Sequence, residues 1–236
     1  MRTRSNTRST RGRIGADVRI LSGLSHIALA FWAIIIIGPI IWVFLSSFKS
    51  PEEIFSSPWT IPAELRWDNW ARAWNTAHIG RYMLNSVKVV AISTFFTMLL
   101  GSMAAYVLAR YRFTGNRAIY YLFVSGLAFP IFLALVPLFF VLRDFPLFQL
   151  WGHLIGNDDQ GLLSTHTGLI LAYIAWSLPF TIFFLSAFFK TLPTSVAEAA
   201  LIDGAGHYKL FFKVMLPMAK SGLISVGIFN LIGQWA

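Results

Sequence analysis

Four stretches of this chain run for more than twenty residues without a charge: residues 21–48, 89–109, 118–142 and 167–189. A helix needs about 20 apolar residues to cross roughly 30 Å of hydrocarbon, and each run meets that length. A lone strand in lipid could not satisfy its backbone polar groups, so the runs are expected to be helices. A fifth run, 221–236, has 16 residues and ends with the sequence. At 1.5 Å per residue it reaches only about 24 Å. A free carboxylate there would sit in the bilayer at high cost, so this last span is expected to be truncated.

The composition agrees. Hydrophobic residues make up 56% of the 236 positions and charged residues 12%, about half the usual charged share of a globular protein. That excludes an ordinary soluble domain. The net charge of +9 would point to nucleic acid in a soluble chain, but its distribution gives a different meaning. Residues 1–20, 110–117 and 190–220 alternate onto one side of the membrane and hold 13 basic residues against 3 acids. Residues 49–81 and 143–166 fall on the other side, with 5 basic and 7 acidic. Basic residues gather on the cytoplasmic side, so the amino terminus is expected inside and no nucleic acid is needed. The fold class expected is all-α, a polytopic transmembrane bundle. A basic cytoplasmic tail (1–20), whose rival reading is a transit peptide, precedes a membrane domain (21–236). The spans are expected near 21–48, 84–109, 118–142, 167–189 and 221–236.

Several features carry two readings. Trp59 and Trp74, in the first outer loop, suit interfacial anchors or a docking surface for an external protein. Gly101 and Ala105 are spaced for close helix contact. Pro39, Pro130, Pro137 and Pro179 lie inside spans and mark kinks. Asn85, Ser93, Thr97, Ser102, Ser125, Ser177, Thr181 and Asn230 are polar groups in spans. They can line a path, with Tyr173 or Trp176 as aromatic platforms, but such groups ordinarily bond their own or a neighbouring helix. Lys88 is close enough to an end to snorkel. His153, Asp158, Asp159 and His166 share one loop but match no metal-ligand spacing. With no Cys and no phosphate loop in the chain, thiolate chemistry and nucleotide binding by a Walker motif are excluded.

The most informative segment is 190–220. Pro193, Thr194 and Ser195 precede an Ala-rich run that favours helix, and Ser195 and Glu198 have capping-box spacing. Gly204 or Gly206 can end that helix. A second helix is expected from about Tyr208 until Pro217, with Leu210, Phe211, Val214 and Met215 as its apolar face. Asp203 sits at a helix C-terminus, where an acid is unfavourable to the dipole and invites a partner role.

Glu198-Ala199-Ala200, Gly204, Val214 and Leu216-Pro217 resemble the E-A-A signature of ATP-binding-cassette importer permeases. The spacing matches throughout, with Val in place of the usual Ile. Asn85-Ser86, Tyr106 to Gly115, Pro137-Leu138, Leu178-Pro179-Phe180 and Gly233-Gln234-Trp235 are similar to the carbohydrate subgroup, the maltose-type second permease. The resemblance covers roughly residue 25 onward and implies six spans in a whole subunit.

It also implies a role: a multi-pass subunit of the bacterial inner membrane that imports sugar and is not itself an enzyme. Its implied partners are a second permease, two ATPase subunits that bind ATP and Mg, an extracytoplasmic sugar-binding protein and lipid. Glu198, Ala199, Ala200, Asp203 and Gly204, with Leu216 and Pro217, take the positions of the loop that couples to the ATPase. Glu198 has two readings, partner contact or capping box. The rivals are an importer of amino acids or phosphate and, from the loop histidines and acids, a membrane-embedded enzyme.

Overall fold

The computed structural model describes the backbone of residues 8–157 and 160–235, with side chains from Ser22 onward. Among the described residues every regular element is helical. Two compact units divide near residue 80.

The first unit begins with α1, Arg8–Ser46. The tail expected over residues 1–20 is therefore helical from Arg8 onward, because extending an existing helix adds a hydrogen bond for each residue fixed. Residues 1–7 lie outside the described part. Residues 22–46 of α1 are long and apolar enough to cross a membrane. The helix stops at Ser46, and Phe48, Lys49 and Ser50 turn inward and are buried. Lys49 donates to the carbonyl oxygens of Ser57 (2.9 Å) and Pro58 (3.2 Å) and to Thr60 Oγ1 (3.4 Å). Its three ammonium hydrogens are thus all used, by dipoles and not by a carboxylate.

Around that ammonium the loop folds as α2, Pro51–Ser56, capped by Ser50, and α3, Asp68–Thr76. Trp42 Nε1 donates to the Pro58 carbonyl at 2.7 Å, and the Trp42 and Trp59 rings lie 5.7 Å apart. Trp67 and Trp70 pack on Phe48.

The second unit is built on α4, Ile79–Arg110, and α8, His166–Thr191. Each is a candidate span by length and composition. They run parallel: Arg110 Nη2 reaches the Leu192 carbonyl at 2.6 Å, so their C-terminal ends lie together. The small-residue spacing on α4 produces close contact. A Cβ on Gly101 would lie 2.5 Å from Thr181 Cγ2, and Ala105 is fully buried, its carbonyl accepting from Ser186 Oγ at 3.4 Å.

The run at 118–142, expected as one span kinked at Pro130 and Pro137, is broken sharply at the first of these. It forms α5, Asn116–Ser125, a 3-10 turn Gly126–Ala128, and α6, Ile131–Asp144, with a 109° bend. Pro130 causes the break. It has no N–H to donate, and its ring drives Phe129 into extended conformation (φ −82°, ψ 120°). Pro137 and Pro179 stay inside α6 and α8. A short helix α7, Pro146–Leu154, occupies the following loop.

Beyond α8 come α9, Thr194–Ile202, α10, His207–Leu210, a π-helical turn Phe211–Met215, α11, Leu216–Met218, and α12, Lys220–Gln234. The second helix of the loop passes through Pro217 and breaks at Ala219 instead, before a 78° bend into α12. Proline at 217 cannot donate to the carbonyl four residues back, and the wider π turn just before it accommodates the ring. Among the described residues three helices are long and apolar enough to span a membrane, or up to five if each bent pair is one span.

The Lys49 cage gives a direct test. Lys49→Met leaves the Ser57 and Pro58 carbonyls without that donor, at about 1–3 kcal/mol of local stability. Residues 50–66 should then exchange amide hydrogen faster and be cleaved sooner by added protease, with the exchange rates of α8 unchanged.

Candidate functional site

The helix α9 opens directly on Pro193 (φ −60°, ψ 130°), with no side-chain cap. Proline at the boundary presets the chain for helix, so Thr194 is already the first helical residue. Ser195 then lies within the first turn, and the capping box expected between Ser195 and Glu198 does not form. Glu198 is exposed and makes no ion pair or side-chain hydrogen bond among the described residues.

The far end of α9 is a Schellman motif. The Ala205 N–H donates to the Ala200 carbonyl (2.9 Å) and the Gly204 N–H to the Leu201 carbonyl (3.0 Å). Gly204 has φ +79°, the left-handed conformation this motif requires. A Cβ there would meet nothing within 4 Å, so the demand for glycine is conformational and not steric. Asp203 is the C-cap, exposed, with no side-chain partner among the described residues.

The helix has two faces. Ala197 and Ala200 pack inward, and so does Leu216. Glu198, Ala199, Leu201, Ile202, Asp203, Gly204 and Pro217 are exposed, Ile202 by 86%. Of the alanine pair, Ala200 therefore seats the helix on its own protein and Ala199 faces out.

Beneath lies an aromatic floor. Tyr106 packs edge-on against Phe189 (5.5 Å) and tilted against Phe211 (5.0 Å), with Leu210 and Met215 buried beside them. The expected apolar face of Leu210, Phe211, Val214 and Met215 is thus the part of the loop that packs on the bundle. Two polar contacts bracket α9. Arg110 holds the Leu192 carbonyl just before it, and the Tyr111 hydroxyl meets His207 Nδ1 at 2.9 Å just after it. Asn116 Nδ2 donates to the Leu108 and Tyr111 carbonyls, closing the end of α4.

The polar residues inside the helices form contacts between helices. Asn230 Nδ2 donates to Thr181 Oγ1 at 2.9 Å. Gln234 Oε1 accepts from Ser93 Oγ (2.6 Å) and Thr94 Oγ1 (3.0 Å), and its Nε2 donates to Ser177 Oγ (2.8 Å). For Ser93, Ser177, Thr181 and Asn230 the structural reading holds. Ser102 and Ser125 bond their own helix. Thr97 Oγ1 is buried without a partner. Thr94, Ser186 and Gln234 join this set although their sequence positions were not singled out for it. The usable signal was the four-residue stagger Gly222, Val226, Asn230, Gln234, which is the buried face of α12.

Asp158 and Asp159 lie outside the described residues. Among those described, no three His, Asp or Glu side chains gather as a metal site.

The second unit is thus a bundle of helices that holds an exposed, glycine-terminated helix over an aromatic floor. Residues 97–236 match the model of a family described as "Binding-protein-dependent transport system inner membrane component". The diacetylchitobiose uptake permease NgcG of Streptomyces coelicolor is 52% identical over 92% of this chain and 67% of its own length. The trehalose transport permease SugB of Mycobacterium tuberculosis is 32% identical over 87% of this chain and 72% of its own. A crystal structure of a bacterial ABC transporter involved in alginate import superposes with TM-score 0.74 at 20% identity, over 92% of this chain and 71% of that one. The chain belongs to the inner-membrane component family of binding-protein-dependent transport systems. It is a permease of an ABC importer, and its relatives are transport subunits, not enzymes.

The reading of the inter-helix polar groups is testable. Asn230→Leu should lower the midpoint of thermal unfolding in detergent, by the equivalent of about 0.6–1.7 kcal/mol for one lost interhelical hydrogen bond. Substrate affinity should be unchanged, measured by uptake at graded substrate concentrations.

Proposed function

We propose that this chain forms half of the translocation path of an ATP-driven sugar importer, with α9 as the helix that couples it to a cytoplasmic ATPase. The observation that carries the reading is the exposed face of α9. Among the described residues Glu198 and Asp203 stand without side-chain partners, beside an Ile202 side chain left 86% exposed. A carboxylate free of intramolecular bonds can make a charge-assisted contact with a basic group on a partner. An exposed isoleucine at the helix end supplies apolar area for the same partner.

In this reading ATP and Mg are bound by two ATPase subunits, and a second permease completes the path. A binding protein delivers the sugar from outside. The amino terminus and α9 face the cytoplasm, in keeping with the excess of basic residues on their side. The relatives named for diacetylchitobiose and trehalose support a sugar, and the degree of identity to the former favours N,N′-diacetylchitobiose as the first substrate to try.

Movement of the ATPases would reach the bundle through both ends of α9. Arg110 and Tyr111 close the inner end of α4 and grip the chain on either side of that helix. A two-state displacement of α9 would then be passed to α4 as a rigid unit.

Gly204→Val should be tolerated in folding but force a β-branched residue to φ +79°, at about 1–2 kcal/mol. ATP-dependent sugar uptake in vesicles should fall at least about tenfold, while the permease inserts to normal abundance. Uptake at the native rate, with the ATPase still bound and stimulated, would remove the coupling role. Arg110→Met should lower the sugar moved per ATP hydrolysed, whereas a mere folding defect would lower transport and hydrolysis together. Glu198→Ala should reduce ATPase copurification without changing thermal stability, since no capping bond is lost.

A further inference from the structure

Where α12 crosses α4 and α8, the three helices meet in rungs one turn apart. Ser93 and Ser177 meet Gln234, and one turn along, Thr97 and Thr181 stand level with Asn230, because α12 runs antiparallel to the other two. The rung at Gln234 is complete, with two hydroxyls from α4 and one from α8 all bonded to its amide. The rung at Asn230 is not. Its Nδ2 donates to Thr181 Oγ1 on α8 at 2.9 Å, and toward α4 it meets the Met98 sulfur, a weak acceptor, at 3.7 Å. Thr97, next to Met98, is fully buried, and its hydroxyl has no partner among the described residues. We propose that Thr97 is the hydroxyl to which the Asn230 amide passes when α12 moves during transport. The rung then has two bonded arrangements, one tied to α8 and one to α4. The inference rests on the importer reading above and names a bond that changes within it.

A hydroxyl inside a helix ordinarily bonds the carbonyl three or four residues back. On the same helix Ser93 and Ser102 do so, with the carbonyls of Val90 and Leu99. Thr97 does not, and a hydroxyl taken out of water without a bond carries an uncompensated desolvation cost. Protein surrounds it on every side, so relief must come from within the bundle. Asn230 can supply it, having two amide hydrogens and only one good acceptor. The approach is already close. A Cβ on Gly101, one turn from Thr97, would lie 2.5 Å from Thr181 Cγ2. The two threonines therefore flank the amide from helices in contact, and a short displacement exchanges one acceptor for the other.

The helix α12 is placed to make that displacement. The chain passes from α9 through the π-helical turn and α11 and bends by 78° directly into α12. Motion of α9 thus reaches Asn230 along one continuous stretch of chain, while the complete rung holds α12 at Gln234.

The test uses the full subunit assembled with its ATPase and second permease, in vesicles supplied with the binding protein. Two quantities are read: the midpoint of thermal unfolding without nucleotide, and labelled nucleotide trapped with Mg and orthovanadate. Thr97→Val keeps the shape and removes the hydroxyl. Its midpoint should equal or exceed that of the wild type, whereas Thr181→Val, which breaks a bond already made, should lower it. Trapping by Thr97→Val should fall about fivefold, the change one net hydrogen bond makes in an equilibrium, and Thr97→Ser should trap as the wild type does. With Asn230→Leu already present, Thr97→Val should lower trapping no further, since the two act through one bond. A lowered midpoint for Thr97→Val would show its hydroxyl already bonded and overturn the proposal. So would trapping at the wild-type level by that variant, a Thr97→Ser as defective as Thr97→Val, or an additive loss with Asn230→Leu. A wild-type assembly that traps no nucleotide would instead sink the importer reading, and this inference with it.

Discussion

The second unit depends on how closely α4 and α8 approach each other at Gly101 and Thr181. With lipid outside, no hydrophobic gain distinguishes helix–helix contact from helix–lipid contact, so packing and polar contacts between helices must supply association. Gly101 removes the side chain that would hold the helices apart. Ala105 continues the same seam, and the gap it leaves brings the Ser186 hydroxyl to the α4 backbone. Once that seam is set, α12 can lie across both helices, its Asn230 and Gln234 reaching two hydroxyls on α8 and two on α4. Gly222 serves the same purpose at the other end of α12, where a Cβ would strike the Phe188 ring at 2.7 Å.

Two kinds of order are therefore present in the same unit. Where α12 crosses α4 and α8, hydroxyls and amides are consumed in pairs and fix the helices against one another. On α9, by contrast, the Glu198 and Asp203 carboxylates are left without partners among the described residues.

Much of this was legible in the sequence because it follows from length and period. The helices over 79–110 and 166–191 agree with the uncharged runs, since a run of that length in lipid has no alternative to helix. The E-A-A helix and the apolar face from Leu210 to Met215 follow from spacing alone, whereas the choice of Gly204 over Gly206 as its turn needed the backbone. What was not legible depends on competition between neighbours. Proline 130 broke a span where Pro39, Pro137 and Pro179 did not, and composition does not distinguish them. Ser195 lost its capping role because Pro193 started the helix two residues earlier than the capping pattern needs. Lys49 read as an ordinary loop cation, and its burial depends on three oxygens from residues 57–60 that only folding brings together. Gln234 stood in a recognisable motif, yet its partners are more than fifty residues away in the chain.

The aromatic floor beneath α9 has a consequence for how such subunits can be rebuilt. Tyr106 comes from α4, Phe189 from α8 and Phe211 from the loop itself, and the three rings interlock. α9 is thus not a removable module bounded by residues 190 and 220. A chimera that exchanges only this loop for that of another permease would set the new helix on an ill-matched floor. Loop and bundle packing are inherited together, and a transplant would have to carry the positions of Tyr106, Arg110, Tyr111 and Phe189 with it.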